Sequence, residues 1–111
     1  MFIDCHDSEN GQNGFMLKFG NGWTFSVRFG FGNYCQNQHK KNNNGECKNA
    51  EIAAYDLNNN WFDFQTGSID RNGYHIKGWC STDEVMKYME TVSKLPNSVN
   101  KNKMALEMNG V

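Results

Sequence analysis

The sequence predicts an α+β fold: an antiparallel sheet of four to five strands, made of two hairpins and a short strand, covered on one face by one C-terminal helix. Three observations carry that expectation. Apolar residues alternate with others on either side of Gly20-Asn21-Gly22, a second pair of apolar stretches flanks an asparagine run, and a helix-capping sequence opens an apolar stripe spaced by threes and fours. At 111 residues the chain has the length of one domain, and at that size roughly two-thirds of the unfolded surface can be buried. Residues 1–96 are expected to form that single domain, with 97–111 a polar, frayed tail in which 104–108 could make one helical turn.

The N-terminal residues read as a short strand or arm followed by the polar loop 7–14. In the first hairpin Phe15, Leu17 and Phe19 alternate on one strand, and Trp23, Phe25, Val27 and Phe29 on the next. A two-residue turn would oppose Phe19 to Thr24 and mix apolar with polar on both faces. A three-residue loop, Gly20-Asn21-Gly22, instead sets Phe19 across from Trp23, Leu17 from Phe25 and Phe15 from Val27, giving one apolar face. Gly30-Phe31-Gly32 reads as a sharp exit from the strand, because glycine permits a bulge or a left-handed turn. The segment 33–49 has no apolar period and is expected to be an exposed, partly mobile loop.

The second hairpin is expected from 50–55 and 61–64 around Leu57-Asn58-Asn59-Asn60, with a two-residue turn that puts Ala53 and Tyr55 on one face with Phe62 and Phe64. Residues 65–72 read as a loop and 74–79 as a last strand. Ser81-Thr82-Asp83-Glu84 is a capping box, in which the serine hydroxyl and the glutamate carboxylate satisfy each other's backbone N–H groups. Val85, Tyr88, Met89, Val92 and Leu95 form the stripe that follows, and Pro96 ends the helix.

Composition excludes several classes of function. A net charge of −1 supplies no basic footprint, which argues against nucleic acid as a partner. There is no long apolar run, and Met1-Phe2-Ile3-Asp4-Cys5 has neither a basic segment nor an apolar h-region, so neither membrane insertion nor export is expected. Four cysteines are too sparse for a disulfide scaffold in a chain able to build its own core, and they are expected to be free thiols in a reducing cytoplasm.

Each candidate site has a plain structural alternative. Cys35, His39 and Cys47, with Cys5, His6 or Cys80, are zinc-type ligands, but the paired knuckles of zinc sites are missing, so no metal and no cofactor is expected. Cys35 or Cys80 could pair with His75 or His39 as nucleophile and base, yet no nucleophile motif surrounds any cysteine and no catalytic residue is assigned. The 29–34 glycine-rich stretch lacks the Lys-Ser/Thr and the helix of a phosphate loop. Arg28 and Glu51 could pair across neighbouring strands. The aromatic content of 14% is the informative excess. One helix covers one face, so rings near the loops, Phe31, Tyr34, Trp61 and Trp79, are expected to form an interaction surface.

With Asn21-Gly22-Trp23-Thr24, Ser26-Val27, Phe29-Gly30, Gly32-Asn33-Tyr34-Cys35, Ala50-Glu51-Ile52-Ala53 and Gly78-Trp79, the chain resembles a group of small uncharacterised proteins of tailed bacteriophages. The resemblance spans 15–95; the segment 36–49 looks expanded by asparagine and lysine, and the N-terminal arm and the tail have no counterpart. It implies a non-enzymatic accessory protein acting in the cytoplasm of an infected bacterium by binding a host protein, evasion of host defence being one such role. The alternative is a small-ligand or nucleotide-binding protein with an aromatic-lined pocket, at the interface of a homo-oligomer in one form of that reading.

Overall fold

A computed structural model describes residues 1–71 and 73–98. It is α+β, as expected. Among the described residues the strands are β1 (Phe2–Asp4), β2 (Gln12–Lys18), β3 (Thr24–Gly30), β4 (Ala50–Tyr55), β5 (Asn60–Phe62), β6 (Ile69–Arg71) and β7 (Lys77–Cys80), followed by helix α1 (Thr82–Ser93). They form one antiparallel sheet in the order β1-β2-β3-β4-β5-β6, with β7 also on β4. The sheet exceeds the four to five strands expected because β1 pairs with β2 and β6 with β5. These two strands are only three residues long, too short for an alternation signal.

The first hairpin has the expected register, with Phe15 opposite Val27, Leu17 opposite Phe25 and the Phe19 N–H donating to Trp23 O at 2.9 Å. Gly22 occupies the left-handed conformation at φ 87°. The strand exit is also as expected: at Gly30 (φ 94°) a Cβ would lie 2.3 Å from Gly11 O.

The second hairpin departs from expectation. Asp56 N–H donates to Asn60 O at 2.9 Å, so the loop is Leu57-Asn58-Asn59, with Asn59 left-handed at φ 59°. It is the same three-residue class as the first, a turn closed by a left-handed residue. The extra residue reverses the faces: Tyr55 opposes Trp61, while Phe62 and Phe64 are buried with Phe25 and Ile52. The cause lies in Asp56, whose Oδ1 accepts from the N–H groups of Asn58 and Asn60 and whose Oδ2 accepts from Asn60 Nδ2, each at 2.9 Å. Burial opposes ionisation of this carboxyl, but the Asn60 and Asn58 hydrogen bonds outweigh it and hold the group below its ordinary value.

The core comprises Trp23, Phe25, Val27, Ala50, Ile52, Ala54, Phe62, Phe64, Cys80 and Val92, with Phe19, Phe29, Val85, Tyr88, Met89 and Leu95 packed around it. The capping box forms as expected, with Ser81 as N-cap. The other end of α1 is held from the first hairpin loop: Asn21 Nδ2 donates to Val92 O at 2.9 Å, Ser93 O at 3.2 Å and Leu95 O at 3.1 Å. The last strand begins at Lys77 rather than at Tyr74. The expected frayed tail lies outside the described residues from 99 onward, as does the suggested turn at 104–108; Ser98 itself donates its N–H to Asn21 O at 2.7 Å.

Candidate functional site

The sheet face away from α1, helix-free among the described residues, carries a cleft of about 270 Å³. Its origin is a local change in side-chain size. Ser26 and Ala53 are paired across β3 and β4, and both are small, so they make a floor around which Met16, Arg28, Glu51, Tyr55 and Trp61 rise. Strands β5 and β7 lie along different parts of the same β4 edge, and the chain between β6 and β7 brings Tyr74 and Ile76 to the cleft wall. Trp61 is sandwiched there, its ring centroid 5.2 Å from that of Tyr55 and 5.0 Å from that of Tyr74. Tyr55 Oη donates toward Met16 Sδ at 3.3 Å.

The segment carrying Tyr74 is fastened by His75, whose Nε2 lies 2.6 Å from Asp70 Oδ2 and whose Nδ1 lies 3.9 Å from Asp63 Oδ2. Gly73 makes the approach feasible, since a Cβ there would fall 2.7 Å from Asp70 Cβ and 3.0 Å from His75 Nε2. Asp63 also caps its own turn, accepting from the N–H groups of Gln65 at 2.8 Å and Thr66 at 3.3 Å; the Gln65 bond leads in holding its carboxyl below the ordinary range. Donor atoms of Asp63, Asp70 and His75 fall within 4.8 Å of one another, a grouping able to hold a cation that no sequence motif announced. The existing bonds describe it equally well as a latch on 73–76.

Beyond the other end of β4, Tyr34 and Trp79 stack at 5.6 Å with an interplanar angle of 22°. They are 47% and 54% exposed, respectively. Trp79 N–H donates to Tyr34 O at 2.9 Å, and Gly78 passes so close to Tyr34 that a Cβ would sit 2.6 Å from the tyrosine Cβ. Trp79 has φ 51°, left-handed backbone that a bulky residue adopts only at a cost. Glu51 ties this stack to the cleft, since its Oε2 accepts from Tyr34 N–H at 2.8 Å. Arg28 and Glu51 are opposite in register as anticipated, but they are not an ion pair: the carboxylate is taken by Tyr34, and Arg28 Nη2 lies 3.7 Å from Cys5 Sγ.

The four rings singled out in sequence therefore fall into separate places. Trp61 lines the cleft and Tyr34 and Trp79 adjoin it, whereas Phe31 stands apart under the Lys41 ammonium, 5.3 Å from the ring centroid. Tyr55 and Tyr74, which complete the cleft wall, were not singled out; the alternation in β4 marks Tyr55 as a face opposite Ile52, but Tyr74 has no periodic signal.

The cysteine pairings with histidine do not form. Cys80 is buried with its sulfur toward the carbonyls of Lys77 and Gly78, and burial pushes its thiol up to about 11. Cys35 is buried against Gly30 and Asn37, with Cys47 beside it, and His39 does not join them in a ligand cluster. The segment 33–49 is organised around this pair rather than uniformly exposed: Asn37 is buried and its Nδ2 donates to Glu46 O at 3.1 Å, and Gln36 N–H donates to Asn49 Oδ1 at 2.7 Å. No described helix is long and apolar enough to cross a membrane. Comparison with known proteins returns no match among family models, curated proteins or solved structures.

Proposed function

We propose that this chain is a non-enzymatic binding module that takes a protein partner on the helix-free sheet face, with Trp79, Tyr34 and Trp61 as aromatic anchors. The observation that carries this reading is Trp79. A half-exposed indole held in left-handed backbone, stacked on a second half-exposed ring, does little for the core and occupies a conformation that glycine would adopt without strain. Such strain is retained where the side chain has a use, and exposed Trp and Tyr are the side chains that dominate binding energy at interfaces. The floor of Ser26 and Ala53 with Arg28 and Glu51 beside it supplies polar groups between the two aromatic clusters.

The resemblance to small tailed-phage proteins supports the setting: a phage-encoded accessory protein in the cytoplasm of an infected bacterium, the partner a host protein, with evasion of host defence as one role. Trp79→Gly tests the reading. Relief of backbone strain and loss of the stack are each on the order of 1 kcal/mol, so the melt should stay close to the parent. Capture of a discrete host protein by the immobilised parent should be lost with Trp79→Gly and kept with the helix variant Lys87→Ala. Equal capture by both variants would remove the anchor role.

A further inference from the structure

Eleven residues separate Cys35 from Cys47, but the stretches that carry them are laced side by side: Gln36 N–H donates to Asn49 Oδ1 at 2.7 Å, Lys48 N–H to Gln36 Oε1 at 3.2 Å and Asn37 Nδ2 to Glu46 O at 3.1 Å. Cys35 is 2% exposed and fixed by its neighbours: its Sγ accepts from Gly30 N–H at 3.2 Å and donates toward Asn37 Oδ1 at 3.0 Å. Cys47 is half-buried and reachable. It lines an open polar depression with Gln36, Asn44, Glu46 and Lys48, and it also borders a second, apolar cleft of about 330 Å³ beside Val85 and Met86. One thiol is thus accessible and the other is shielded, on stretches of chain that adjoin each other.

We propose that these two cysteines form a modification site, in which Cys47 is thiolated by a small charged disulfide of the oxidised-glutathione type and Cys35 resolves the adduct to an internal disulfide. The depression fits that class of co-substrate: Lys48 offers a cation to a carboxylate, and Glu46 an anion to an ammonium group. The environments are divided in the required sense. Burial works against ionisation of Cys47, but the backbone N–H groups of Asn49 and Asn37 and the neighbouring thiol outweigh it and lower the group; burial raises Cys35.

In the first step the Cys47 thiolate attacks one sulfur of the small disulfide. A protein–small-molecule S–S bond forms, the original S–S bond breaks, and the other half leaves as a thiolate that takes up a proton. In the second step Cys35 gives up its proton to solvent and attacks Cys47 Sγ, the internal S–S bond forms, and the second small thiolate departs and is protonated. Two protein thiols are oxidised by two electrons in all, and one small disulfide is reduced to two thiols. The product cross-links both ends of the 36–46 loop beside the exit of β3.

The test is incubation of the folded full chain with oxidised glutathione, followed by alkylation of remaining thiols and peptide mapping. The expected product links Cys35 to Cys47 and leaves Cys5 and Cys80 alkylatable after unfolding. Cys35→Ser should accumulate the glutathione adduct on Cys47, and Cys47→Ser should take up no glutathione at Cys35. If Cys35→Ser fails to fold, the parent map and Cys47→Ser decide. Absence of the Cys35–Cys47 link in the parent, or glutathione on Cys35 in Cys47→Ser, would overturn the assignment.

Discussion

Gly22 and Gly20 flank the same asparagine and look alike in sequence, but the backbone separates them. Gly22 is at φ 87°, and a Cβ there would sit 2.9 Å from Ser98 O, whereas a Cβ on Gly20 would meet nothing within 4 Å. Gly22→Val is therefore expected to destabilise the fold by about 1 kcal/mol or more, through left-handed strain and contact with the returning chain. Gly20→Val should melt near the parent, and thermal denaturation of the two side by side checks the contrast. The position of this loop was legible because only one register left the neighbouring strands with an apolar face. Its counterpart at Leu57-Asn58-Asn59 was not, since three successive asparagines tolerate positive φ and the deciding group is the side chain of Asp56, outside the expected turn.

At the scale of elements, α1 was legible at one end and not at the other. Ser81 and Glu84 are three residues apart, and both capping-box bonds are present, so the helix start is a local property of the sequence. The far end is fastened by Asn21, which is 71 residues from Val92 in the chain and reads in sequence only as a turn residue. Its side chain is buried, donates to the Val92 and Ser93 carbonyls at the helix end and to Leu95 O just past it, and accepts from Trp23 N–H at 3.1 Å, so it locks the first hairpin onto the helix. Asn21→Ala should cost about 1–3 kcal/mol, the penalty for leaving buried polar groups unpaired. Ser81→Ala, at an exposed cap, should cost about 1 kcal/mol. Asn21→Asp should be no better than Asn21→Ala, because a carboxylate cannot donate to the helix carbonyls and is repelled by them. Urea denaturation of the three variants checks the order, and a milder effect at Asn21 than at Ser81 would show that the hairpin does not hold the helix.

Across the whole molecule, the apolar and aromatic residues divide between two faces, and the division was only partly legible. The face shared by Phe15, Leu17, Phe19, Trp23, Phe25 and Val27 is the one expected under the helix stripe; Trp23, Phe25 and Val27 are buried there with Val92 and Phe19 packs against them, but Phe15, on the strand farther from the helix, stays partly exposed. Phe62 and Phe64 belong to that core as well, through the one-residue longer turn that sends Trp61 to the other side; a period-2 pattern fixes which residues share a face but not which face the partner strand presents. The face partition predicts opposite responses to the same truncation. Phe25 is fully buried, with its ring edge-on to Phe64 at 6.4 Å, so Phe25→Ala removes packed volume at the centre and should cost about 3–5 kcal/mol. Tyr34 is stacked on Trp79 at the surface, and the Glu51 bond is made by its backbone N–H, which alanine retains. Tyr34→Ala should therefore cost no more than the stack, about 0.5–1.5 kcal/mol, and under the proposed binding role it should weaken capture of a partner by the immobilised protein. Paired melts and capture assays read both effects. Unfolding by Tyr34→Ala as severe as that by Phe25→Ala would make Tyr34 part of the core and leave the helix-free face without one of its proposed anchors.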